Sequence, residues 1–394
     1  MIVRSVLAAV GLIAVVLVSA AGADAQGVYR WVDKQGNVHY SQTPPQEAQP
    51  EPKAAAPVPA PLVGLTPIPL GAPPTEPVAH ARFLLDNRRW DRTATAEAAR
   101  LLDAALKAEP KNAMALTQTA RLTYFGGYQG GDRYDPKALY HAAALVDRAL
   151  AADPILPEAH VTRGFVGFYQ KAYARARQAA LEADKHRPGD AEAGILLAGI
   201  ANVERKYGEA LARVQGALRT ATTRSQQRRA LQELTMVYKG KGEIPAADQT
   251  YAMIVRLEPE SPWWRVNYAN FLNSRQEYER AIPLAQEALA IMDFGVGHEV
   301  LAKAAMGRAN QLVRDSQDWA GAGDYYALAV QHDPDSADAR YGLGMTYWAR
   351  AGQTRGKVLL DQAGVELQAA LKIDPKHAQA RRLYDDLVRR GWKP

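Results

Sequence analysis

The 394-residue sequence predicts an all-α solenoid of about eight helix–turn–helix units, with a small β-hairpin ahead of it. Three observations predict this. Prolines follow successive helix-like stretches at Pro110, Pro154, Pro188, Pro259, Pro334 and Pro375. Small residues recur where two helices would touch: within Asp318–Trp348 they are Ala322, Ala329 and Gly344, with Trp319, Tyr326, Leu328, Leu343 and Tyr347 between them. The apolar content, 47%, is rich in Ala and only 8% of all residues are aromatic, which suits close-packed helices better than a sheet core.

In chain order, residues 1–25 read as a cleavable export signal. Arg4 gives a basic start, Val6–Ala21 is a continuous run of apolar and small residues, and Ala23-Asp24-Ala25 offers a small-residue cleavage site before Gln26. The run is shorter than the ~20 residues of a spanning helix. An uncleaved anchor is the alternative. The expected location is periplasmic or secreted, with no membrane span after signal cleavage. The chain has no cysteine, so disulfides, a thiol nucleophile, a thiolate metal site and a lipidated cysteine are all excluded.

Residues 26–45 read as the hairpin. Tyr29 and Trp31 alternate with Val28, Arg30 and Val32, Lys34–Asn37 supplies turn chemistry, and Val38–Ser41 returns before Thr43-Pro44-Pro45. Tyr29, Trp31, Asp33, Gly36, His39, Tyr40, Ser41, Thr43, Pro44 and Pro45 resemble the signature of an uncharacterised bacterial envelope domain, with Gln42 in place of its usual Asp. That resemblance implies an envelope location and no activity. Residues 46–78, dense in Pro and Ala, read as an extended spacer.

Residues 79–377 read as the array and 378–394 as its capping helix, which carries Arg381, Arg382, Asp385, Asp386, Arg389 and Arg390 around Leu383, Tyr384 and Leu387. Pro154 to Pro188 is 34 residues; the longer intervals fit two repeats with an insertion, or one repeat lengthened between its helices. Gly164 and Ala176 fall at small positions of one unit, and Leu343, Gly344 and Tyr347 form an L-G-x-x-Y pattern in another. On these residues the array resembles the tetratricopeptide repeat family, which implies a right-handed superhelix.

Positions two, five, nine and twelve of that family's repeat face inward, which implies a concave groove. In this register they are Met114, Thr117, Arg121 and Tyr124; Glu158, Val161, Phe165 and Phe168; Glu192, Ile195 and Asn202; Trp263, Val266, Asn270 and Asn273; and Asp338, Tyr341, Met345 and Trp348. The strongest candidates for holding a peptide are Arg121, Tyr124, Phe165, Phe168, Asn202, Asn270, Asn273, Tyr341, Met345 and Trp348. Such a mixed apolar and amide surface suits an extended peptide or a helix, since each Asn offers donor and acceptor. Asn270 occupies the Asn position of the family's carboxylate clamp, but its partner positions hold Val266, Asp338 and Gly342, so the clamp is incomplete.

Other chemistry finds little support. His298-Glu299 lacks the second histidine of a zinc helix, and Gly126–Asp132 lacks the lysine of a phosphate loop and reads as a flexible connection. The eight histidines are dispersed, and Asp333, Asp335 and Asp338 read as turn and cap residues. The net charge of +6 is spread out, with Arg224, Arg228 and Arg229 read as a solvated helix face rather than a nucleic-acid footprint. The expectation is a non-enzymatic scaffold without cofactor or metal, binding other envelope proteins or peptides. An accessory subunit or enzyme of cell-wall metabolism, or an oligomerising spacer, are the alternatives.

Overall fold

In a computed structural model, the described residues are those of two strands, 29–32 and 38–41, and residues 59–392 apart from 63, 88–90, 131, 132 and 355. The export-signal reading of residues 1–25 lies outside them. The chain divides into two units, Met1–Pro57 and Val58–Pro394. In the first, β1 (Tyr29–Val32) and β2 (Val38–Ser41) pair antiparallel, with Tyr29 opposite Ser41 and Trp31 opposite His39.

The second unit is helical. Its helices pair as α1 (Pro77–Asn87) with α2 (Arg92–Ala108), α3 (Ala113–Gly126) with α4 (Pro136–Ala152), and α5 (Pro157–Tyr169) with α6 (Tyr173–His186). Next come α7 (Ala191–Val203) with α8 (Tyr207–Thr220), α9 (Arg224–Lys241) with α10 (Ile244–Leu257), and α11 (Pro262–Ser274) with α12 (Tyr278–Ile291). The last pairs are α13 (Gly295–Ser316) with α14 (Trp319–His332) and α15 (Ala337–Thr354) with α16 (Lys357–Ile373), and α17 (Ala378–Arg389) packs on α16. First helices stack on first helices through α1, α3, α5, α7 and α9, and again from α11 to α13.

The prolines work as the sequence predicts. A residue before proline is driven out of the helical region by its clash with the ring. Glu109, Asp153, Arg187, Glu258, Asp333 and Asp374, each directly before a proline, all have φ between −123° and −139° with positive ψ, and each ends a second helix. The turn inside each pair has its own device. Lys171, Arg205, Gln276 and Gly242 all adopt left-handed backbone, with φ of 60°, 59°, 60° and 81°. The following amide then reaches back five residues in each case, as Ala172 N does to Gly167 O at 2.8 Å and Glu243 N to Tyr238 O at 2.9 Å. Three of those four residues are not glycine, so the turn leaves no reliable sequence mark.

Small residues sit at the contacts. A Cβ on Gly164 would lie 2.3 Å from the Leu196 side chain, so only glycine lets α5 approach α7 there. One expectation is corrected. The extra residues of the fifth, seventh and eighth pairs do not enlarge connections. They lengthen helices: α9 and α15 have 18 residues and α13 has 22, against 13 in α5, α7 and α11, and in the eighth pair α16 has 17, against 14 in α6, α8, α10, α12 and α14. A longer connection does occur between α3 and α4, but it is folded. Gln129 N donates to Arg133 O and Asp135 N to Gly127 O, and Tyr134 packs 4.1 Å from Tyr169.

A second correction concerns the proline-rich stretch. Its described part is not a free spacer. Leu62 is 4% exposed and joins the main core, with Leu65 packed against it. Gln227 of α9 donates Nε2 to Thr66 O at 2.7 Å and accepts Ile68 N at 3.0 Å. The described residues between 59 and 70 therefore form a strap lying on the array, a 3-10 turn at Ala60–Leu62 followed by irregular chain.

Candidate functional site

The first helices of the first five pairs converge on one cavity. It is lined by Arg82 and Asp86 from α1, Arg121 and Tyr124 from α3, Glu158 and Phe165 from α5, Glu192 from α7 and Arg229 from α9, with Arg187 and Asp190 at its rim. Four arginines and four carboxylates are gathered there. The sequence reading gave this face a mixed apolar and amide character and treated Arg224, Arg228 and Arg229 as solvated. The structure turns these arginines inward, with side chains 11%, 11% and 19% exposed.

The charges are matched in pairs. Arg121 Nη2 donates to Asp86 Oδ1, and its Nη1 donates to Gln118 Oε1 at 2.8 Å. Glu158 Oε1 accepts from Arg82 at 3.3 Å and from Arg187 at 2.9 Å. Arg229 pairs with Glu192 and lies 4.5 Å over the Phe165 ring. Burial alone would raise the Asp86 carboxyl, but Arg121 and Arg82 outweigh it and hold the value below the ordinary range. With its cations already engaged, the cavity is built as an internal ion-pair lattice rather than an open anion cradle.

That lattice closes the N-terminal half of the array. The last turn of α1 reaches the head of α9: Asp86 O accepts Arg228 Nη2 at 2.7 Å and Ser225 Oγ at 3.2 Å. Arg228 also pairs with Glu258 at 3.3 Å. Each bond satisfies an otherwise orphaned helix-end carbonyl or a buried charge.

The predicted groove residues separate into distinct roles. Arg121, Tyr124 and Phe165 come together at the cavity, but Tyr124 and Phe165 are 2% and 8% exposed and belong to the core. Phe168 packs edge-on against Tyr169 and Tyr173, and Asn202 Nδ2 donates to Glu233 Oε1 at 3.4 Å. Asn273 is buried, and its Nδ2 donates to Val300 O at 3.1 Å, tying α11 to α13. Tyr341 and Trp348 are half-buried against α16 and α17, where Arg390 lies 5.7 Å over the Trp348 ring. Met345 packs into the cluster of Ala309, Ala322 and Tyr326. The position-five residues Thr117, Val161, Ile195 and Val266 are all buried. Asn270 is exposed on α11, and beside it Asn267 and Ser274 continue one polar stripe.

Sequence reasoning missed three things. It missed Glu233, which has Asn202 as its bonded partner and whose carboxyl burial pushes up to about 7. It missed Gln227 and the strap. It also treated the histidines as dispersed, whereas His298 and His332 meet with their Nδ1 atoms 2.7 Å apart and His298 Nε2 reaches Asp293. No group of three or more metal-ligating side chains occurs among the described residues, and none of their helices is long and apolar enough to cross a membrane.

The fold is tetratricopeptide-like. It is similar to a monomeric mutant of IFIT1 solved with m7Gppp-AAAA, at TM-score 0.50 and 13% identity, covering 80% of this chain and 71% of that one. It is also similar to Cut9–Hcn1 of the APC/C, at 0.45 and 16%, and to PilW, described as a type IV pilus biogenesis factor, at 0.44 and 18%. The first of these two similarities covers 79% of this chain and 55% of that one, the second 58% and 96%. At such identities the likeness shows the fold alone. The chain spans just over half the length of the Cut9–Hcn1 chain it matches. A domain of unknown function, DUF4124, matches residues 15–78. No curated protein sequence matches the chain.

Proposed function

We propose that the protein is an exported scaffold that holds another cell-envelope protein, through a peptide laid along the first helices of the C-terminal half of its array, and serves in assembly or secretion. It acts by binding rather than catalysis. The observation that carries this is the contrast between the two halves of the array. The N-terminal first helices spend their inward charges on one another, while α11 presents Asn267, Asn270 and Ser274 exposed at i, i+3 and i+7 spacing. Exposed carboxamides along one helix face can pair with the amides and carbonyls of an extended chain. The export address is supported by the basic start, apolar run and A-x-A site of residues 1–25 and by the envelope-type signature of residues 26–45.

The test is affinity capture from an envelope extract with the wild type and with Asn267→Arg/Asn270→Arg. The variant is expected to fold with unchanged helicity and to lose its partner. Recovery of the same partners by both proteins would exclude the α11 face.

A further inference from the structure

The head of α9 holds a segment of the chain in the way a receptor holds a peptide. Gln227 is 2% exposed, and its one carboxamide makes two bonds to one stretch of backbone, to Thr66 O at 2.7 Å and from Ile68 N at 3.0 Å. In an extended strand, the carbonyl of one residue and the amide of the second residue after it point to the same side. A carboxamide with its donor and acceptor aligned therefore reads that strand as a neighbouring strand would. The amide of the residue between them points away. Here that residue is Pro67, which has no amide to lose, and Pro69, which follows Ile68, has none either. Both prolines are exposed, Ile68 is half-buried, and Leu62 supplies an apolar anchor at 4% exposure.

The attachment is local. From Pro69 to Pro77 every residue is exposed, so the strap joins α1 through a tether on the surface. No charged residue occurs between Lys53 and Glu76, so the occupant brings no ion pair and its recognition rests on one apolar socket and backbone bonds. We propose that the head of α9 is a peptide-docking site for an uncharged segment with an extended, proline-flanked backbone, that Thr66–Ile68 is its tethered occupant, with Leu62 set in the core at the end of the preceding 3-10 turn, and that a segment of this chemistry from another protein replaces it. The tether supplies an effective concentration in the millimolar range for short flexible links, so a free peptide competes only when the strap is released. This site is separate from the α11 stripe, and each stands or falls on its own experiment.

The experiment places a protease recognition sequence within the exposed residues 71–76 of the full chain. Cleaved and uncleaved protein are titrated with a fluorescent synthetic peptide of residues 58–72, followed by anisotropy. The cleaved protein, freed of its N-terminal fragment by gel filtration, is expected to bind at least tenfold more tightly than the uncleaved protein. Gln227→Ala in the cleaved protein is expected to weaken binding about tenfold, as the loss of its two hydrogen bonds implies. A peptide carrying Leu62→Asp is expected not to bind. Equal binding before and after cleavage, or no binding by a cleaved array of unchanged helicity, would overturn the proposal. So would an array that loses its helicity when the fragment leaves, because the strap would then be part of the fold.

Discussion

Glu233→Gln is expected to stabilise the protein at alkaline pH and to leave it unchanged in acid. Glu233 lies on α9 one turn beyond Arg229, beside Gly199, with Asn202 Nδ2 as its bonded partner. Burial pushes its carboxyl from an ordinary value of about 4.5 up to about 7, and the single neutral hydrogen bond from Asn202 only partly opposes this. The folded chain therefore binds the proton more tightly than the unfolded chain. The contribution to stability is full below about pH 4.5, declines as pH rises toward 7, and is flat beyond it. An interval of that width corresponds to roughly 3 kcal/mol at about 1.4 kcal/mol per pH unit, and partial exposure of the side chain brings the expectation to ~2 kcal/mol. Glutamine keeps the shape and the bond from Asn202 but has no charge to desolvate. Urea unfolding followed by helical circular dichroism at pH 8 and pH 4 measures the difference. The variant midpoint should rise at pH 8 and match the wild type at pH 4. An unchanged or lowered midpoint at pH 8 would mean that the carboxylate is well solvated or paired, and the reasoning from burial would fail.

The cavity lattice gives a second expectation. Arg121→Ala leaves Asp86 without its main cation and should cost about 3–5 kcal/mol, whereas Asp86→Leu combined with Arg121→Met should recover more than half of that in the same unfolding assay. Because the Asp86 carboxyl is lowered in the fold, its contribution runs opposite to that of Glu233 and is lost as pH falls through its folded value. Gly342→Ala tests helix approach: its added Cβ would sit 2.2 Å from the buried Tyr326 ring, so a loss of ~1–3 kcal/mol is expected from thermal melting.

The periodic features were legible because each has a local cause. A proline cannot be hidden from the residue before it, so six helix ends could be placed from six prolines. Gly164 and Gly344 were legible because close helix contact leaves too little room for a Cβ at the first and only a tight fit at the second. The lengthened helices were not legible. An insertion in a polar helix and an insertion in a loop look alike when the turn residue is Gln317, at φ 53°, rather than glycine. Groove residues were legible as a face but not as roles. The repeat register places Asn270 and Asn273 on one side of α11, yet only the packing of α13 decides that Asn273 is spent on Val300 O while Asn270 stays exposed.

The stretch Arg224-Ser225-Gln226-Gln227-Arg228-Arg229 shows why the rest was out of reach. Taken alone, such a polar run reads as a solvated helix start, and Thr223 with Gln226 does make a capping box there. Yet Ser225, Gln227 and Arg228 are all at least nine-tenths buried. Polar side chains tolerate burial only when bonded, and their bonds here run to Asp86 O, Thr66 O and Ile68 N, more than 130 residues earlier in the chain. No window of sequence around α9 contains those partners. The superhelical path of the first four pairs brings α1 back to α9, and only then do the polar residues acquire a reason to be buried. Long-range closure, rather than local propensity, thus decides that the head of α9 receives backbone from elsewhere, which is the property the docking proposal rests on.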